Sequence, residues 1–156
     1  MNSITKQDYN QSISFLHKSI REEKERLEEV FLKRSTFKRQ YFEILEDLSQ
    51  NKHASCAHGY LELARKQLLR RDYDTTSVLV LLGTLCMLNA ESDLNQVIDF
   101  FEERFLQSTF CIKLLKLLLQ AKSDGLKSEY LTLWSMMKII PVFEEERILM
   151  QNVVSL

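Results

Sequence analysis

The stretch Tyr9–Leu48, YNQSISFLHKSIREEKERLEEVFLKRSTFKRQYFEILEDL, decides the fold. Stepping through it in alternating fours and threes lands on Tyr9, Ile13, Leu16, Ile20, Glu23, Leu27, Val30, Arg34, Phe37, Tyr41, Ile44 and Leu48. All of these are apolar except Glu23 and Arg34, which fall in the middle. A 4-3 rhythm sustained that long is the seam of a helix that lies along another helix. No Gly or Pro precedes Gly59, so one continuous helix is expected, roughly 65 Å long at about 1.5 Å per residue. A hairpin folded near Ser35-Thr36, weak helix formers close to the centre, is the alternative. The register runs through Ser35-Thr36 without a skip, which favours the continuous or gently bent form.

The rest of the chain is consistent with helix throughout. Only 3 Gly and 1 Pro occur in 156 residues, too few for the tight turns of a sheet protein. The fold class is therefore all-α: a long heptad-patterned helix followed by about six shorter antiparallel ones. With 45% hydrophobic and 28% charged residues, the composition is that of a soluble globular protein. A net charge of -1 leaves no overall electrostatic footprint for nucleic acid or an anionic membrane. Cys56, Cys86 and Cys111 sit singly in apolar patterns and read as reduced, buried thiols of a cytoplasmic protein. No secretory signal is visible, and Val78–Leu88 is too short to span a bilayer.

Ser49-Gln50-Asn51-Lys52 is the first convincing break. It divides the chain into an amphipathic, coiled-coil-like arm, 1–50, and a helical-hairpin body, 51–156. In the body, a helix over 54–71 is followed by a turn with Asp74 as N-cap. The next, over 75–89, is apolar on nearly every side and should be the centre of the core. Gly83 within it suggests a close helix approach. Ser92 caps a helix over 93–106, and a further one begins at Ser108 and closes at Gly125, in the left-handed conformation that favours glycine. The last two run over 127–140 and from Pro141 onward, with Glu144, Glu145 and Glu146 favouring the positive end of the helix dipole.

Taken in pairs, these six helices have a period of about 36 residues, close to that of the tetratricopeptide repeat. Arg71-Asp72-Tyr73-Asp74, and Ser92-Asp93-Leu94 followed by Val97, Ile98 and Phe101, resemble the turn and second helix of that repeat. Over 54–156 the resemblance implies stacked hairpins that present a concave groove to a peptide or partner helix. It transfers no functional residue, and a compact bundle gives the same pattern.

Chemistry is sparse. His53-Ala54-Ser55-Cys56-Ala57-His58 places His53 and Cys56 one turn apart, but His58 lies off that face and nothing completes a tetrahedral metal set. A nucleophilic Cys56–His pair lacks an orienting group and an oxyanion site. Gly59, Gly83 and Gly125 are isolated, so no phosphate loop is present. No catalytic residue, metal ligand or cofactor is therefore assigned. Two basic clusters stand out: Lys33, Arg34, Lys38 and Arg39, and then Arg65, Lys66, Arg70 and Arg71. Interleaved acids make a solvated or acid-partnered face the plainer account of both.

The function expected from these features is non-enzymatic protein–protein interaction, as a subunit, adaptor or chaperone-like escort in a cytosolic assembly. The partner, a helix or peptide of another protein or of a second copy, would bind Ile13, Leu16, Ile20, Leu27, Val30, Phe37, Tyr41 and Ile44, with Glu23 and Arg34 setting register. On that reading, replacing Leu27 and Val30 by Asp breaks the complex and leaves the body folded. The alternatives are a nucleic-acid-associated regulator using the basic clusters and a small helical enzyme without a recognisable motif.

Overall fold

A computed structural model of the chain describes residues 6–90, 99, 103 and 110–154, with side chains from residue 20 onward apart from those of 110, 112 and 154. Seven helices account for nearly all of it: α1 (Lys6–Lys33), α2 (Ser35–Ser49), α3 (His53–Leu69), α4 (Tyr73–Asn89), α5 (Phe110–Ser123), α6 (Lys127–Met137) and α7 (Glu144–Val154). No strand occurs among the described residues, and the fold is all-α. The helix expected over 93–106 lies outside them, except that Asp99 and Glu103 are helical and exposed.

The helix expected to run unbroken to residue 49 is interrupted at Arg34, whose backbone is extended at φ -119 and ψ 103. Helical hydrogen bonding resumes on either side, from Arg34 N–H to the Val30 carbonyl (3.0 Å) and from Lys38 N–H to the Arg34 carbonyl (2.9 Å). The ring of Phe31 lies 5.6 Å from that of Tyr41 and 5.5 Å from that of Phe42. In a straight helix residues ten apart are about 15 Å apart. The chain therefore folds back at Arg34, next to the Ser35-Thr36 position where a hairpin was the alternative. A heptad register survives such a break, because one extended residue can leave both apolar stripes facing the same core.

That core is centred on α4. Every residue from Thr75 to Cys86 is buried, as an all-round apolar helix requires. It is covered by α1, α3, α5 and α7, while α2 packs on α3 and α7, and α1 also meets α6. Ile20, Leu27, Val30, Phe37, Tyr41, Ile44 and Leu48 belong to the same cluster as Leu79, Leu82, Leu118 and Leu149. The described side chains of 1–50 and 51–156 thus share one interior, and from Ile20 onward the N-terminal part is no separate arm. Helices remote in sequence meet around α4, so the arrangement is a closed bundle rather than an open stack in which each hairpin touches only its neighbours.

Helix ends follow local chemistry. α2, α3 and α5 each stop in a paired-carbonyl cap with a left-handed residue: Asn51 (φ 59), Arg71 (φ 59) and, as expected, Gly125 (φ 71). At α3 the Asp72 N–H reaches the Gln67 carbonyl (3.0 Å) and the Arg71 N–H that of Leu68 (2.9 Å). The N-cap of α4 is Asp72 rather than Asp74, because the Asp72 carboxylate accepts from the Thr75 N–H at 3.3 Å. Pro141 does not open α7, which begins at Glu144. A close helix approach that a glycine permits occurs at Gly59, where an added Cβ would lie 2.6 Å from Ile44 Cγ1.

Two stability outcomes follow from this packing. Leu27 and Val30 are each 2% exposed, so Leu27→Asp/Val30→Asp is now expected to unfold the protein, since each uncompensated charge costs several kcal/mol. Leu32→Asp, at a position 77% exposed on the same helix, should shift stability by no more than about 0.5 kcal/mol. Loss of the cooperative circular-dichroism melt in the first variant and its retention in the second checks this. Gly59→Ala should destabilise by about 1–3 kcal/mol in urea unfolding through the collision with Ile44.

Candidate functional site

The seam residues fall into four groups. Ile20, Leu27, Val30, Phe37, Tyr41 and Ile44 are buried under the chain's own helices, so in this fold a partner helix does not reach them. Ile13 and Leu16 lie in α1, outside the described side chains. Arg34 is exposed, at the break between α1 and α2. Glu23 is buried, and its Oε2 accepts from the Cys111 thiol at 2.8 Å. It therefore contacts α5 and not a surface where it would set the register of a partner.

The HASCAH segment forms the start of α3 and assembles no site. The Cys56 thiol donates to the Ile44 carbonyl (3.5 Å), His53 Nε2 pairs with Asn89 Nδ2 (2.7 Å), and His58 is exposed. Among the described residues no group of three His, Cys, Asp or Glu could hold a metal ion. Cys56, Cys86 and Cys111 are all unbridged and buried. A hydrogen bond with Cys56, together with burial, drives the Cys86 thiol up, and burial does the same for Cys111. Thiols held protonated are poor nucleophiles, whereas the hydrogen bond with Cys86 draws the Cys56 thiol down.

What the fold does bring together is charge. Lys33 and Arg34, at the α1–α2 break, face Lys66 and Arg70 of α3 across a groove of about 480 Å³ floored by Phe37 and Leu63. No carboxylate lines it. Lys33 pairs with Glu29 at 2.9 Å, whereas Arg34, Lys66 and Arg70 form no ion pair among the described residues. The other members of the two basic clusters point elsewhere. Lys38 lies over the Phe31 ring at 5.6 Å, Arg65 pairs with Glu62 at 3.3 Å, and Arg39 and Arg71 are not part of the groove. Interleaved acids in the sequence thus neutralise only some of these cations.

Next to the groove along α2 and α3 lies a second concavity of about 300 Å³, which shares Gln40 and Leu63 with the first. Here the charged residues are Glu43, Asp47 and Glu62. One furrow between two helices is therefore basic at one end and acidic at the other. Helix α2 carries this polarity itself, from Arg34 before its first turn to Asp47 in its last.

Buried carboxylates tie the helices together, those of Asp72 and Glu146 at the furrow walls and that of Glu23 between α1 and α5, and the sequence pattern pointed to none of their partners. Asp72 accepts from Arg26 Nε (3.1 Å) and Gln67 Nε2 (2.9 Å), tying α1 and α3 to the start of α4. Asp72 followed three residues later by Thr75 is the one sequence signal that could have found this cap. Glu146 Oε2 accepts from the Tyr41 and Tyr60 hydroxyls, the latter at 2.6 Å, joining α2, α3 and α7. Burial pushes the Glu146 carboxyl up despite these donors. Nothing separates Glu146 from Glu144 and Glu145 in sequence. Burial likewise raises Glu23, to about 7, opposed by its hydrogen bonds to Cys111 and Ser77 and reinforced by Asp74 and Glu22.

Compared with known protein families, curated proteins and solved structures, the chain finds no match. Fold and site define it as an all-α protein with a charge-polarised furrow. No helix among the described residues is long and apolar enough to cross a membrane.

The Glu23 shift has a definite sign. A carboxyl whose folded pKa is above its unfolded value binds more protons when folded, so its contribution to stability is lost as pH rises from about 4.5 to about 7. Glu23→Gln is expected to remove that decline. Between pH 5 and 8 the wild type should lose roughly 1–3 kcal/mol more unfolding free energy than the variant. Urea unfolding across this range checks it, and parallel profiles would show that Glu23 is ionised throughout.

Proposed function

We propose that this protein is a non-enzymatic protein–protein interaction module, a subunit, adaptor or escort within a multiprotein assembly. The observation that carries this reading is the open furrow between α2 and α3, whose charged rims are incompletely neutralised by the chain itself. Large apolar side chains flank it in sequence. Leu32 beside Lys33 is 77% exposed, and Leu69 beside Arg70 is 86% exposed. Exposed leucines next to cations are ordinary singly, but together they suit an interface with an apolar centre and a polar rim. The heptad seam serves the protein's own core, so the partner binds the outside of the helical pair and not the stripe. Cytosolic residence is part of the proposal and draws support from the three unbridged, buried cysteines. The concave face implied by the tetratricopeptide resemblance finds its nearest counterpart in this furrow, though within a bundle rather than a solenoid.

A nucleic-acid-associated role draws support from the meeting of the two basic clusters at the same groove. Its signature would be a steep fall in affinity for an oligonucleotide with rising salt.

Affinity capture of the full chain from extracts of its native host, with stoichiometry read by mass spectrometry and light scattering, tests the main reading. A stoichiometric protein complex is expected, weakened about tenfold or more by Leu32→Asp/Leu69→Asp, substitutions that leave the melt unchanged. A monomer that retains nothing would sink it.

A further inference from the structure

We infer that the furrow between α2 and α3 is the docking site for one short peptide segment of a partner protein, acidic at one end and basic at the other. The inference rests on the interaction-module reading and specifies the chemistry of the partner. Four cations, Lys33, Arg34, Lys66 and Arg70, line one end without a carboxylate among them. Glu43, Asp47 and Glu62 line the other end, and the two concavities adjoin at Gln40 and Leu63, which line both.

The alternating signs select among occupants. A nucleic acid strand is anionic along its whole length, so it would gain at Lys66 and Arg70 and be repelled at Glu43 and Asp47. A uniformly acidic peptide meets the same penalty, since like charges brought together cost affinity. A second copy of this chain has complementary signs under two-fold rotation, but two concave faces cannot fill one another. A narrow segment fits both ends at once. The span from Arg34 to Asp47 is about 20 Å at 1.5 Å per residue, the reach of about six extended residues.

Some of the charge is already engaged, which places the specificity. Lys33 pairs with Glu29 and Glu62 with Arg65, and exposed pairs of this kind contribute little. Arg34, Lys66 and Arg70 at one end and Glu43 and Asp47 at the other have no such partner among the described residues. These five side chains would meet the segment.

The probe is a fluorescein-labelled peptide with a glutamate block, an alanine spacer and a lysine block, titrated by anisotropy with the full-length protein. Three comparators accompany it: the same composition in alternating order, an all-glutamate peptide, and oligothymidylate. The block peptide should bind best. Lys66→Glu/Arg70→Glu should weaken it about tenfold or more, Glu43→Lys/Asp47→Lys likewise, and Lys127→Glu/Lys138→Glu at the two ends of α6 not at all. Raising salt from 50 to 300 mM should weaken it by about tenfold too. Melts of all three variants establish that each is folded. Equal or tighter binding of oligothymidylate or the all-glutamate peptide overturns the proposal in favour of a general anion site, and equal binding of the alternating peptide overturns it as non-specific attraction. No binding of the block peptide overturns it as well. A native complex that survives both charge reversals leaves the interaction-module reading intact and removes only the furrow as its site.

Discussion

Helix α4 imposes the constraint on which the rest of the bundle depends. A helix buried on every side from Thr75 to Cys86 has to be enclosed, and one neighbour covers only a strip of it. Among the described helices, α1, α3, α5 and α7 close around it. A straight N-terminal helix would cover α4 with its first half and carry Phe37, Tyr41, Ile44 and Leu48 out into water. Burying a side chain of that size is favourable by about 1.5–3 kcal/mol. Breaking at Arg34 leaves a few N–H groups at the start of α2 without helical partners. They lie at the rim of an open groove, where water can satisfy them, so the cost is small by comparison. Burial wins, and the helix folds back.

Polar contacts then fix which of several similar packings is adopted. Glu146 reached by the hydroxyls of Tyr41 and Tyr60, and Asp72 reached by Arg26 and Gln67, bind helices far apart in sequence. Sliding one helix by a residue would leave a buried carboxylate without its donors, a penalty larger than that of a slightly altered apolar contact. Such groups are retained at some cost in desolvation, which is visible in the upward displacement of Glu146 and Glu23. They add specificity to a core whose leucines alone would tolerate several arrangements.

The outer surface inherits its character from the same decisions. Folding at Arg34 sets α2 beside α3 and places the break next to the end of α3. Lys33 and Arg34, more than thirty residues before Lys66 and Arg70, join them at one end of the furrow, and Glu43, Asp47 and Glu62 gather at the other. The furrow is thus a by-product of covering α4, and its charge polarity is what the proposed segment would have to match. Binding at such a place draws on side chains that the core does not need, so recognition and stability can be altered separately.

The sequence by itself determined the helical class, the burial of α4 and the left-handed turn at Gly125, because apolar periodicity, composition and glycine conformation act locally. It also determined which face of the N-terminal stretch is apolar, since the stripe from Ile20 to Ile44 is the one that is buried. Periodicity, however, records only that a stripe is covered, never by which chain, and a register that survives one extended residue conceals the fold-back at Arg34. Tertiary structure alone decided that the stripe lies in the protein's own core, that Asp72 and Glu146 have buried partners, and that Lys33 and Arg34 face Lys66 and Arg70. Those outcomes depend on distances between residues far apart in the chain, and such distances exist only once the helices have closed around α4.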